Sequence, residues 1–350
     1  MPEYGLTFFV ALAAAFVVTP GVIWLAFRTG ALDAPETRKV HTQPVPRIGG
    51  LGIYAAFMAA MGVYLMTAEV PAEVGQGLTG LLLGGSLIVA LGLADDYFNL
   101  PAKAKLLGQI GCAGVAMAYG VRIDFISDPF GDVLYLYDYV AIPGTIFWIV
   151  GLTNTVNLID GLDGLAAGVS TIAAVTIFLV ALQQNFLLVA VVTAALAGAA
   201  FGFLYYNFNP ARIFMGDTGS MFLGFMLSGI SVIGAVKSAA TIALIVPILA
   251  LGLPILDTAF AIVRRKLAGV PIMKPDKGHL HHRLLSLGFT QRQAVLLMYT
   301  ISALLGTSAV AVTEVSPGFA LLILVAVVAA VLYGAKRLGI FHLNNTAHTH

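Results

Sequence analysis

Long apolar runs alternate with short polar breaks along this chain, and the runs share one length scale. They lie near 4–27, 48–68, 77–94, 105–121, 141–157, 164–182, 186–206, 218–236, 240–263, 294–313 and 318–335. As helices, runs of about 17–25 residues reach across the hydrocarbon core of a bilayer with every backbone group bonded inside the segment. The pattern therefore predicts an all-α integral membrane protein with about 11 transmembrane helices. The first run has no basic stretch and no A-x-A site ahead of it, so it reads as a retained helix. With no internal repeat, linker or compositional break, residues 1–350 read as a single polytopic membrane domain.

Alternating the segments sets the orientation. With the N-terminus outside, sixteen of the eighteen Lys and Arg residues fall inside, and only Arg122 and Lys237 fall outside. That asymmetry fixes topology by the positive-inside rule, and it leaves the tail after Lys336-Arg337 in the cytoplasm. The outer loops are short or acidic, as in 122–140 with Asp124, Asp128, Asp132 and Asp138, and read as solvated connectors. Composition agrees: 59% of residues are hydrophobic and 10% are charged, against roughly 25% charged in a soluble domain. A net charge of +1 without basic blocks points away from nucleic acid. The single Cys112 excludes a disulfide framework and a cysteine zinc site. A broad apolar perimeter admits a homodimer.

Six carboxylates sit at or inside the ends of apolar runs: Asp95, Asp96, Asp160, Asp163, Asp217 and Asp257. A charge at membrane depth costs several kcal/mol, so such residues mark ion, proton or substrate sites. All six fall on the inner face, where the cations also collect, which suggests a divalent metal and phosphorylated substrates. The inner loops 28–50, 95–105, 157–165, 207–220 and 264–293 are thus the predicted active site.

Each motif also has a plainer reading. Asp95-Asp96 could be solvated acids at a helix end, although acid at a helix C-terminus opposes the macrodipole. Asn157-Leu-Ile-Asp160-Gly-Leu-Asp163-Gly164 could be only a turn, but its oxygens suit a hard cation such as magnesium. Asp217, in Gly216-Asp217-Thr-Gly219-Ser220, could be only an N-cap. Asp257 could brace its helix by pairing with Arg264-Arg265. His279-Leu-His281-His282-Arg283 lies beside Lys274 and Lys277. That spacing is poor for zinc, while such donors would grip a diphosphate through charge-assisted hydrogen bonds.

Taken together the chain resembles the polyprenyl-phosphate N-acetylhexosamine-1-phosphate transferases. The resemblance rests on Lys39-Val-His41-Thr-Gln-Pro44-Val-Pro46-Arg47-Ile-Gly49-Gly50, Ala94-Asp95-Asp96, the 157–164 and 216–220 motifs and His279-x-His281-His282, and it spans essentially the whole chain. It implies transfer of a sugar 1-phosphate from a UDP-sugar to undecaprenyl phosphate at the cytoplasmic face of the plasma (inner) membrane, with release of UMP. It implies magnesium, with manganese as a substitute, on Asp217 and Asn157. It implies Asp95 and Asp96 as catalytic carboxylates beside Asp217. As substrate contacts it implies Lys105, Asp160, Asp163, His279, His281, His282 and Arg283, together with Lys39, His41 and Arg47.

The histidine run looks like the UDP-N-acetylglucosamine branch, which starts O-antigen, common-antigen or teichoic-acid units. The alternative within the family is the UDP-N-acetylmuramoyl-pentapeptide enzyme of peptidoglycan synthesis. An alternative of another class is a secondary transporter, whose acids would lie near the midplane between repeats.

Overall fold

The computed structural model describes residues 2–33, 44–68, 72–127, 133–237, 242–267, 269 and 278–337. The apolar runs fold as α1 (Glu3–Thr29), α2 (Gly50–Thr67), α3 (Ala72–Phe98), α4 (Ala102–Ala118) and α5 (Asp138–Ile159). They continue as α6 (Leu165–Gln183), α7 (Leu187–Asn207), α8 (Gly216–Lys237), α9 (Ile242–Ala250) and α10 (Gly252–Leu267). A short α11 (Leu280–Ser286) precedes α12 (Gln291–Glu314) and α13 (Pro317–Arg337). Two antiparallel pairs are the only strands among the described residues: β1 (Leu32–Asp33) with β2 (Val45–Pro46), and β3 (Phe125–Ser127) with β4 (Val133–Tyr135). The chain is an all-α membrane protein.

Among the described residues nine helices are long and apolar enough to cross a membrane. The other two predicted segments are α4 and the pair α9–α10. The run at 105–121 is α4, which has 17 residues. The run at 240–263 is two helices, interrupted at Leu251. Pro254 has no N–H to offer the Ala250 carbonyl four residues back, so the ladder breaks there.

The ends of the bundle differ in chemistry. One end carries β3, β4, the ion pairs of Arg122 with Asp124 and Asp138, and Gln183 donating to Glu314 at 2.7 Å. At the other end lie β1, β2 and every described motif residue.

α8 is the axis of the bundle: 89% of its most apolar stretch is buried, against 11% for the peripheral α13. α7, rich in alanine and glycine, is nearly as enclosed. Gly198 lies against the Phe8 carbonyl, and a Cβ at Gly202 would come within 2.7 Å of the Ala15 methyl, so α1 packs almost backbone to backbone on α7. Small residues at such crossings replace the hydrophobic drive that lipid cannot supply.

Candidate active site

The site is built around the first turn of α8. The segment before α2 runs beside the segment before α8: Phe214 N donates to Pro46 O (2.7 Å), Gly49 N to Phe214 O (3.0 Å) and Gly50 N to Met215 O (2.8 Å). Gly50 then sits directly against the Gly219 backbone, and a Cβ at Gly92 of α3 would lie 2.6 Å from Thr218 Cα. Gly216 has φ +68° and packs on the Arg47 carbonyl and the Asp96 carboxylate, so only glycine fits. Three glycines thus let α2 and α3 close on the start of α8.

Asp96, at the end of α3, caps α8. Its Oδ1 accepts from Asp217 N (2.9 Å), and its Oδ2 accepts from Thr218 N (3.0 Å) and Thr218 Oγ1 (2.6 Å). A buried carboxylate there meets both the unsatisfied first-turn N–H groups and the positive end of the helix dipole. Arg47 Nε lies 4.0 Å from Asp96 and its Nη2 donates to Asn99 Oδ1 at 3.4 Å, so Arg47 braces the same corner.

Asp95 points elsewhere. Its Oδ1 accepts from Leu100 N at 2.7 Å, which closes the α3–α4 turn, and its Oδ2 receives Lys105 Nζ at 2.8 Å. The same ammonium reaches Asp217 Oδ2 at 3.4 Å. The other Asp217 oxygen accepts from Asn157 Nδ2, which also reaches Ser220 Oγ at 2.8 Å. One cluster therefore joins α3, α4, α5 and α8 through Asp95, Lys105, Asn157 and Asp217. A turn deeper, Gln109 and Asn154 exchange hydrogen bonds at 2.6 and 3.4 Å, locking α4 to α5 beneath it.

The α5–α6 turn carries the next acids. Asp160 follows the end of α5, and burial, then the charges of Asp217, Asp96 and Asp163, push its carboxyl up to about 8. Asp163 Oδ2 accepts from Asn209 Nδ2 (2.8 Å) and Ala211 N (3.1 Å), tying this turn to the α7–α8 loop.

Gly161 lies against the His281 ring, which brings α11 onto the site. His281 is buried, and that burial, with the neighbouring His282, lowers it to about 4. It is neutral at neutral pH and offers a hydrogen bond rather than a charge. His279, also buried, pairs through Nδ1 with Asp257 Oδ2 at 2.9 Å. His282 is exposed and Arg283 half-buried on the other faces of α11. Lys39 and His41 lie outside the described residues, as do Lys274 and Lys277.

Oxygen donors and surplus negative charge make this cluster suited to a hard divalent cation. Asp95 and Asp217 already share one cation, the Lys105 ammonium, and Asn157 turned over would add an amide oxygen. Among the described residues no three His, Cys, Asp or Glu side chains form a cage.

Gln109 was not singled out from the sequence, and Asp257 and His279 were singled out there without being paired. Gln109 stands in an apolar run, and its only signal was its place four residues after Lys105, on the same helix face.

Fold and site together define a polytopic helical protein with an acid, lysine and amide cluster at one end of its bundle. Residues 78–235 match the family model described as glycosyl transferase family 4. A Bacillus subtilis protein named "Probable undecaprenyl-phosphate N-acetylglucosaminyl 1-phosphate transferase" is 43% identical over 87% of this chain and 83% of its own. A Mycolicibacterium smegmatis decaprenyl-phosphate N-acetylglucosaminephosphotransferase is 38% identical over 92% of this chain and 86% of its own. A phospho-N-acetylmuramoyl-pentapeptide-transferase of Desulforudis audaxviator is 32% identical over 86% of this chain and 94% of its own. The chain belongs to glycosyl transferase family 4.

Proposed function

We propose that this protein transfers N-acetylglucosamine 1-phosphate from UDP-N-acetylglucosamine to a polyprenyl phosphate of the undecaprenyl type. The products are the lipid-linked diphosphate sugar and UMP, and the reaction starts a cell-envelope polysaccharide. The observation that carries the reading is the meeting of Lys105 with Asp95, Asp217 and Asn157 at the start of the most enclosed helix. The names of the relatives with 43% and 38% identity support the acceptor and the sugar.

Both substrates are anions, so the first barrier is repulsion, and catalysis rests on alignment and charge stabilisation. An oxygen of the lipid phosphate bonds to the phosphorus that carries the sugar. The bond from that phosphorus to the bridging oxygen breaks, and its electron pair leaves with UMP. A phosphate monoester has a second pKa of about 6, so the acceptor is largely a dianion at neutral pH and needs no strong base. Asp95 then serves to position the acceptor and take up any remaining proton, in a single displacement.

Lys105, shared between two carboxylates, exchanges one of them for a diphosphate oxygen. Asp217 and Asn157 would hold magnesium or manganese, which when bound neutralises charge on the diphosphate. Asp163 Oδ1, with no partner among the described residues, is an acceptor available to a uracil N–H, and Asp160 supports that turn. His279, His281, His282 and Arg283 border the donor's phosphates.

The test uses purified protein, undecaprenyl phosphate, magnesium and a panel of labelled UDP-sugars. The expected result is butanol-extractable label from UDP-N-acetylglucosamine with an equal release of UMP. Preference for UDP-N-acetylmuramoyl-pentapeptide would move the chain to the peptidoglycan branch, and no lipid product from any donor would defeat the reading.

We place the site on the cytoplasmic side of the plasma membrane, from the sixteen-to-two split of basic residues. Cysteines replacing Tyr135, exposed on β4, and Leu287, exposed after α11, should label from outside and inside respectively with an impermeant thiol reagent. Labelling of both from one side would overturn this topology.

A further inference from the structure

The break at Leu251 sets the start of α10 and places Asp257 opposite the start of α11. Asp257 is 6% exposed and His279 is 7% exposed. Both carboxylate oxygens are engaged: Oδ2 with His279 Nδ1 at 2.9 Å, and Oδ1 with Leu280 N at 2.7 Å. A carboxylate can only accept, so Nδ1 donates and the ring plane is set. The ring is also stacked on His281, with centroids 5.8 Å apart and planes 4° from parallel. His281 in turn lies on Gly161, next to Asp160. His279 Nε2 makes no hydrogen bond with the described residues.

Capping α11 alone does not require this residue. The amide oxygen of Asn would accept from Leu280 N as well, whereas a buried carboxylate carries a heavy desolvation cost unless it is paired. What the acid adds is its hold on the histidine. We propose that Asp257 is a positioning residue for the sugar-nucleotide donor, acting through His279. With Nδ1 turned to Asp257, Nε2 donates to a diphosphate oxygen from the imidazolium, so Asp257 both fixes the ring's orientation and supplies the counter-charge of that doubly donating ring. The inference rests on the reading above that the histidine run borders the donor.

Kinetics of the purified full-length protein test it, with Asp257→Asn, His279→Ala and the double variant. Asn preserves the cap on Leu280 but removes the charge. The donor KM of Asp257→Asn should rise about tenfold, the effect of one lost charge-assisted hydrogen bond, with kcat and acceptor KM within about twofold. The double variant should be no worse than His279→Ala alone, because Asp257 then has nothing to position. Asp257→Ser, whose oxygen lies one bond nearer the backbone and reaches neither the ring nor Leu280 N, should raise the donor KM at least as much, and it serves if the Asn variant folds poorly. Losses that multiply in the double variant, or a wild-type donor KM in both Asp257 variants beside an impaired His279→Ala, would overturn the inference and leave the donor reading intact. A wild-type donor KM in His279→Ala would sink the donor reading itself.

Discussion

Asp217→Ala is expected to abolish turnover while leaving the protein folded. The side chain is 29% exposed, and its partners are Lys105 and Asn157, both at the mouth of the site. The cap of α8 does not depend on it, because Asp96 binds the Asp217 backbone N–H and not its carboxylate. Deleting the side chain therefore removes charge from the cluster without exposing a spanning core. Removal of one preorganised electrostatic group from a site of this kind typically costs about 10²–10³ in rate, and loss of a metal ligand should cost at least as much. Asp217→Asn should recover little, since a neutral amide cannot offset the charge of a cation or hold the Lys105 ammonium as strongly. UMP release across a magnesium series, with melting and monodispersity in detergent as controls, measures both. Near-wild-type turnover of either variant at low magnesium would show that Asp217 only begins a helix.

Hydropathy alone located the helices because lipid leaves a backbone few alternatives. It missed the break at Leu251, since Pro247 and Pro254 stand among Ile, Leu and Val whose hydropathy averages the interruption away. The candidate residues were legible as acids where acids are costly. Their division of labour was not, because it depends on contacts between residues far apart in the chain. Asp96 meets Thr218 across 122 positions, and Lys105 meets Asp217 across 112. The histidine run read as a loop of donors, yet His279 and His281 are buried, and burial lowers His281 further in favour of its neutral ring. Asp257 offered even less, since its partner His279 is 22 residues on and packs against it only after Pro254 has ended α9.

Asp95 and Asp96 are neighbours in sequence with different contacts, and their amide variants should separate cleanly. Asp96→Asn puts an NH₂ where a carboxylate oxygen accepts from Asp217 N, or from Thr218 N and Oγ1. At least one buried donor then loses its acceptor, at about 1–3 kcal/mol, and the helix dipole loses its counter-charge, at about 0.3–1 kcal/mol. The apparent melting temperature should fall by several degrees, at about 2–4 °C per kcal/mol or somewhat less in a chain of this length. Activity should fall with it, because Asp217 shifts. Asp95→Asn can keep its contact with Leu100 N through Oδ1 while turning an NH₂ toward Lys105. It should melt close to wild type yet lose about 10²-fold or more in kcat, the range for a group that handles a proton or places a nucleophile. Equal melting losses would mean that both acids serve the fold. An Asp96→Asn protein with wild-type melting and no turnover would return Asp96 to the chemistry, since a cap whose loss costs no stability is not holding α8.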